Sequence, residues 1–215
     1  MTADDRGYSM GVGPRRDIAD LAAKTAIVSL FTLMAIRLGH DFLETGRLTG
    51  LLLVASEALV VVLTVFRREA LVVDRSLRAR VLTAIAILGP PLVRPADIPP
   101  LASEALTVAL SSIGLLVVIA GKMSLGRSFG LMPAHRGIVS SGLYRLVRHP
   151  IYLGYLITHV AFIAANPTSW NIAVLVAADL GLMARAVCEE TTLARDPEYV
   201  AYQARVRWRV VPGVF

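Results

Sequence analysis

The 215-residue chain has a single cysteine, Cys188. That excludes an internal disulfide and any metal site built from several thiolates. The histidines His40, His135 and His159 do not fall at metal-ligand spacings, and no metal site is expected. Charged residues are only 18% and aromatics 7% of the chain. The net charge of +6 is spread over many short segments and forms no single stripe with interleaved aromatics, so nucleic acid is not an expected partner. Residues 1–20 are polar and lack the apolar core and small-residue cleavage site of a signal peptide. No internal repeat or low-complexity tract is present.

Apolar residues, by contrast, are abundant at 55%, with a mean hydropathy of +0.63. A chain this apolar and this short reads as one integral-membrane unit, all-α, a polytopic helical bundle. Apolar runs fall at 21–38, 48–66, 81–93, 101–121, 151–165 and 169–184. Crossing a bilayer takes roughly 17–25 residues, so about five to six membrane segments are expected. The run at 81–93 is short and broken by Gly89-Pro90-Pro91. Asn166-Pro167 turns the chain between the last two runs and predicts a helical hairpin near residue 166. The expected organisation is a flexible N-terminal tail over 1–16, membrane helices over 17–100, and a second membrane unit over 101–215.

Cations offer an independent reading of the layout, because they gather in short cytoplasmic loops. With the N-terminus taken as cytoplasmic, 18 of the 22 Lys and Arg residues fall on the inner side. Arg47 and Arg94 fall outside, and Lys24 and Arg37 lie within the first span. Both termini are therefore expected in the cytoplasm, with membrane lipids as partners of the basic loops. Arg145 and Arg148 read as anchors facing lipid phosphates.

Unusual polar residues concentrate in two stretches of the second half. In "GKMSLGRSFGLMPAHRGIVSSGLYRLVRHP" five glycines could let backbone N–H groups approach a ligand, and Tyr144, His149 and Tyr152 follow at a helix start. Pro150 suits the first helical turn, and the helix N-terminus directs partial positive charge at the loop, where a ligand carboxylate could sit. His159, in mid-segment, reads as a hydrogen-bond partner for a neighbouring helix. In "MARAVCEETTLARDPEYVAYQARVRWRVVPGVF", Arg185 and Glu189 share a helix face, either as an ordinary ion pair or as ligand contacts, and Glu190 lies about 100° round. Adjacent carboxylates at the end of a membrane helix tend to face a cavity. Glu198, Tyr199, Tyr202 and Trp208 predict a cytoplasmic amphipathic helix along the inner leaflet, with its aromatics as interfacial anchors.

The pair "GLYRLVRHPIYLGY" and "RAVCEETTLARDPEYVAYQARVRWRVVPGVF" closely resembles the C-terminal half of the isoprenylcysteine carboxyl methyltransferases and their phospholipid N-methyltransferase relatives, over about residues 121–215. The resemblance implies S-adenosylmethionine as methyl donor, S-adenosylhomocysteine as product, and a cytoplasmic-side cofactor pocket in the unit 101–215. It places His149 and Tyr152 at the methionine end of the cofactor, Glu190 as the carboxylate holding it, and the backbone of Ser141, Gly142, Leu143 and Tyr144 around it. Arg185 falls near the methyl acceptor, a hydrophobic, lipid-borne or prenylated molecule. His135 stands farther from the Ser-Gly run than the family's histidine does. For a carboxylate acceptor Arg185 would orient the nucleophile; for an amine, Glu189 would be the base. Two alternatives stand beside this reading. One is an NADPH-dependent membrane reductase, since the sterol reductases resemble the same His-Pro-x-Tyr pattern, although the Glu189-Glu190 doublet disfavours it. The other is a non-enzymatic membrane protein that keeps the fold.

Overall fold

A computed structural model describes residues 14–45, 48–74, 76–94, 96, 98–130 and 134–215. Arg6, Arg47 and Arg75 of the charge argument, and most of the tail 1–16, lie outside the described residues. Seven helices account for most of the described chain: α1 (Pro14–Thr45), α2 (Leu48–Phe66), α3 (Leu77–Leu88), α4 (Glu104–Leu125), α5 (Pro150–Ala165), α6 (Ser169–Leu193) and α7 (Pro197–Arg205). Helix starts are set by local chemistry. Ser76, Ser103, Thr168 and Asp196 each accept a backbone N–H of the first turn, and Pro150 and Pro197 occupy first-turn positions where no donor is needed. The Gly89-Pro90-Pro91 break appears as the end of α3 followed by a 3-10 turn over Pro90–Leu92.

Two helical stretches, Glu104–Ser128 and Ser169–Leu193, are long and apolar enough to cross a membrane, and Leu52–Phe66 and Pro150–Ala165 are shorter apolar helices. Only 28% and 44% of the most apolar windows of the two long stretches are buried against protein. Leu106, Ile113 and Leu116 of α4 and Ile172, Val176 and Leu180 of α6 lie on the outside. Water would penalise such surfaces, and hydrocarbon would not. The 12-residue α3 is too short to span alone.

Not every pair of consecutive helices packs together. The largest contact is α4 with α5, followed by α1 with α2, then α3 with α6 and α2 with α4, whereas α5 and α6 touch little. The hairpin expected near residue 166 therefore exists as a connection, but its two helices diverge to different partners. Small residues explain the α4–α5 seam. A Cβ on Gly154 would lie 2.7 Å from the Gly114 carbonyl oxygen, and one on Gly114 would lie 2.8 Å from the Gly154 carbonyl oxygen. The backbones meet directly, as helices in lipid do where no side chain keeps them apart.

Several expectations change. Helix α1 begins at Pro14, inside the expected tail. Lys122, assigned from sequence to an inner loop, is in α4, 1% exposed, with Nζ donating to the Ser56 hydroxyl at 2.7 Å and carbonyl at 3.1 Å. A buried ammonium needs such partners, and the long side chain ties α4 to α2. Besides the helices there is one short antiparallel strand pair, β1 (Val72–Val73) with β2 (Ala134–His135). It joins two loops at the end of the bundle where α7 also packs.

Gly154→Val is expected to force the α4–α5 backbones apart and cost about 1–3 kcal/mol by overpacking. Thermal unfolding in detergent tests this against Gly39→Ala, where an added Cβ meets nothing within 4 Å and little change is expected.

Candidate functional site

One carboxylate gathers the polar end of the bundle. Glu190, in the last turn of α6, is 4% exposed and accepts from His149 Nε2 at 3.2 Å, Gln203 Nε2 at 3.2 Å and Arg209 Nε at 2.9 Å, and it pairs with Arg148 at 3.3 Å. Those partners come from the start of α5, from α7 and from the C-terminal segment. Backbone pairing reinforces the join, with the N–H groups of Arg148 and His149 donating to the carbonyls of Trp208 and Arg209 at 2.9 and 2.7 Å. Arg148 is thus engaged by protein and is not the lipid-phosphate anchor expected from the sequence; Arg145 is exposed.

The same pairing alters the reading of the α5 N-terminus as a carboxylate site. The N–H of His149 is taken by Arg209, and those of Tyr152 and Leu153 bond the His149 carbonyl. Pro150 has no N–H to give.

Beside Glu190, the neighbouring side chains turn into a cavity of about 700 Å³. His149 stacks on Tyr152 with ring centroids 5.1 Å apart, and the Arg185 guanidinium lies 5.8 Å from the Tyr152 ring centre on its way into the cavity. Tyr152 donates its hydroxyl to Glu189 at 2.8 Å. The simple Arg185–Glu189 ion pair considered from sequence is therefore replaced. Glu189 serves Tyr152, and the Arg185 Nε is buried without a hydrogen-bond partner among the described residues. A buried guanidinium donor left open is costly unless a ligand meets it.

Tyr144, Arg148, Tyr199 and Tyr202 line the polar mouth of this cavity. Tyr199 and Tyr202 are 4% and 2% exposed, and the Tyr202 hydroxyl donates to the Tyr144 carbonyl at 2.7 Å. They are core residues of the mouth, which corrects their reading as interfacial anchors; Trp208 is the exposed aromatic there. Burial pushes the Tyr144, Tyr199 and Tyr202 hydroxyls above their ordinary range. All three stay neutral donors at any physiological pH.

Of the residues singled out from sequence, Tyr144, His149, Tyr152, Arg185 and Glu189 line the cavity together. Glu190 stands behind His149 and not in the lining. Ser141 borders a smaller neighbouring depression with Arg68 and Arg127. Gly142 and Leu143 begin the 3-10 turn that presents Tyr144. Gly142 has φ +59°, and a Cβ there would collide with the Ser124 hydroxyl, so glycine is required. Sequence reasoning missed the lining roles of Tyr199 and Tyr202, and missed Arg148 and Arg209 as partners of Glu190. His135, on β2, pairs with Asp196 at 2.8 Å and latches the glycine-rich loop to the α6–α7 turn.

Two predictions follow from this geometry. Glu190→Ala leaves Arg148 and His149 buried without their carboxylate, and an unpaired buried charge costs about 3–5 kcal/mol. A large drop in unfolding temperature is expected, with Glu190→Gln intermediate. Asp196 is held below the usual carboxylate range by the Glu198 backbone N–H and then by His135. A depressed carboxylate stabilises above its unfolded value, and that contribution is lost as pH falls through its folded value. The stability gap between wild type and Asp196→Asn should therefore be full at neutral pH and close as the solution is acidified below the ordinary carboxylate range, as followed by unfolding curves at stepped pH.

Sequence comparison converges on the same half of the molecule. Residues 105–195 match the profile of the isoprenylcysteine carboxyl methyltransferase family. A curated relative, protein-S-isoprenylcysteine O-methyltransferase A of Arabidopsis thaliana, is 36% identical over 74 residues, which cover 28% of this chain and 38% of the relative. The match thus spans well under half the relative's length. The profile match takes in nearly all of α4 and the whole of α5 and α6, and with them His149, Tyr152, Arg185, Glu189 and Glu190. Residues 105–195 are thus similar to the isoprenylcysteine carboxyl methyltransferase family.

Proposed function

We propose that the chain is an S-adenosylmethionine-dependent methyltransferase acting on a hydrophobic, lipid-borne acid. The observation that carries this reading is one cavity with two characters. Tyr144, Arg148, Tyr199 and Tyr202 give it a polar part, Leu53, Val60, Ala86 and Leu182 an apolar part, and Arg185, whose Nε has no hydrogen-bond partner among the described residues, lines it as well. A soluble cofactor and an apolar acceptor need such a cavity.

The residues present fit the cofactor. Neutral tyrosine hydroxyls and Arg148 suit its polar parts. The stacked faces of His149 and Tyr152, with the Glu189 carboxylate beside them, suit a positively charged sulfonium. When bound, S-adenosylmethionine supplies the methyl group that passes to the acceptor by in-line displacement. Glu190 acts indirectly by fixing His149 and Arg148, and Ser141, Gly142 and Leu143 by presenting Tyr144. Arg185 orients the acceptor carboxylate without needing to move a proton. Its attraction must stay moderate, because the negative charge it holds disappears as the ester forms. Catalysis is thus mostly positioning, which is worth a great deal when two reactants meet in a closed site.

The mouth, the loop 126–149 and both termini are assigned to the cytoplasmic side, in keeping with the cations of that end, and five to six membrane segments remain the proposed topology. Labelling of Gly130→Cys in a Cys188→Ser background in intact cells should fail from outside; external labelling would overturn the orientation.

Arg185→Lys keeps the charge but loses the planar two-pronged contact. It is expected to retain S-adenosylmethionine affinity by calorimetry and to lose on the order of 100-fold in methyl transfer, the scale of a misplacement of about 1 Å. Failure of the wild type to bind S-adenosylmethionine would overturn the reading.

A further inference from the structure

Deep in the same cavity is a second polar cluster that methyl transfer does not use. His159 of α5, Tyr155 one turn before it and Glu57 of α2 all line the wall. Their neighbours are apolar, among them Leu53, Val60, Ala86 and Leu182. The cluster is built with care. His159 Nδ1 and Asp179 Oδ1 of α6 are 2.6 Å apart, and the Tyr155 and His159 rings stack at 6.4 Å. Beside Glu57, Ser56 holds the buried Lys122 ammonium, which lies 6.0 Å from the Tyr155 ring centre. Ionisable groups at this depth of an apolar bundle are expensive, and where they face a cavity they mark what the cavity receives.

With Asp179 accepting, Nδ1 of His159 carries a hydrogen, and Nε2 is the ring atom left for a ligand. Nε2 has no protein partner among the described residues, and its ring borders the cavity. Glu57 adds a carboxylate to the same wall. A ring nitrogen, a carboxylate and a tyrosine on one wall call for a ligand group that can hydrogen-bond with them, and a hydroxyl both donates and accepts.

The spacing from the reacting end can be read along two helices independently. From Tyr152 to His159 along α5 is seven residues, about 10 Å of rise, and from Arg185 back to Asp179 along α6 is six residues, about 9 Å. We propose that this cluster is a second recognition site, which takes a hydroxyl group carried about 10 Å along the acceptor's tail from the carboxylate held by Arg185, so that the acceptor is a hydroxylated hydrophobic acid and not one with a plain hydrocarbon tail. This rests on the acid-acceptor reading above. A bare tail would leave Nε2 of His159 without a partner, whereas a hydroxyl at that depth meets it.

Purified full-length protein in detergent is titrated calorimetrically with palmitic acid and with its α-, mid-chain and ω-hydroxylated forms. The mid-chain form is expected to bind about threefold to tenfold more tightly than palmitic acid, the scale of one net hydrogen bond. The α- and ω-hydroxylated forms should show no such advantage. His159→Phe should bring the ratio of mid-chain hydroxylated to plain acid to about one. The positional dependence in wild type needs no variant and stands even if that protein folds poorly. Equal affinity for all four acids, or a preference for the ω-hydroxyl, would overturn the proposal and leave the acid-acceptor reading intact. Binding of none of them would overturn the acid-acceptor reading and the proposal with it.

Discussion

Everything at the polar end of the bundle depends on keeping one buried carboxylate satisfied. Glu190 draws two arginines, a histidine and a glutamine onto itself from three separate parts of the chain. A carboxylate out of water is tolerable only with such company, and cations out of water need it equally. Satisfying it therefore docks α7 and the C-terminal segment against the start of α5. Once those are docked, Tyr199 and Tyr202 have nowhere to go but the mouth of the cavity, and His149 is fixed face to face with Tyr152. The electrostatics of a residue that does not itself line the cavity sets the shape of the residues that do.

The helices were legible in the sequence because each begins at a signal of simple chemistry, as at Ser103, Thr168 and Asp196, and because apolar runs have little choice of secondary structure. Their ends were less legible: Lys122 reads as a loop cation by charge alone, and only the three-dimensional proximity of Ser56 shows how α4 can swallow it. Which helices pair was not legible at all. Asn166-Pro167 announces a turn, but nothing local says that α5 then leaves α6 for α4; that choice is made by Gly114 and Gly154, whose match is visible only across the seam. In the site, the residues of the His-Pro-x-Tyr and Arg-x-x-x-Glu-Glu patterns do converge. The tyrosines of α7 were misread because exposed aromatics at an interface and buried aromatics at a cavity mouth have the same spacing in sequence.

The two glutamates illustrate how neighbours in sequence can part in function. About 100° of helix rotation separates Glu189 from Glu190. The first faces the cavity and receives a tyrosine hydroxyl, and the second faces the docked C-terminal segment and receives cations. A doublet that looks redundant in sequence is divided between the cavity side and the scaffold side of α6.

The divergence of α5 from α6 leaves the cavity between them, with α2 and α3 contributing to its wall. The backbones are close in α4–α5 and in α3–α6, whereas α5 and α6 meet through the His159–Asp179 pair, the contacts of His149 and Tyr152 with Glu190, Glu189 and Arg185, and the shared apolar core. Whatever occupies the cavity binds the folded protein and has no counterpart in the unfolded chain. By mass action occupancy must then raise the melting temperature in proportion to the logarithm of ligand concentration, so the thermal stability of this protein doubles as a gauge of what it has bound.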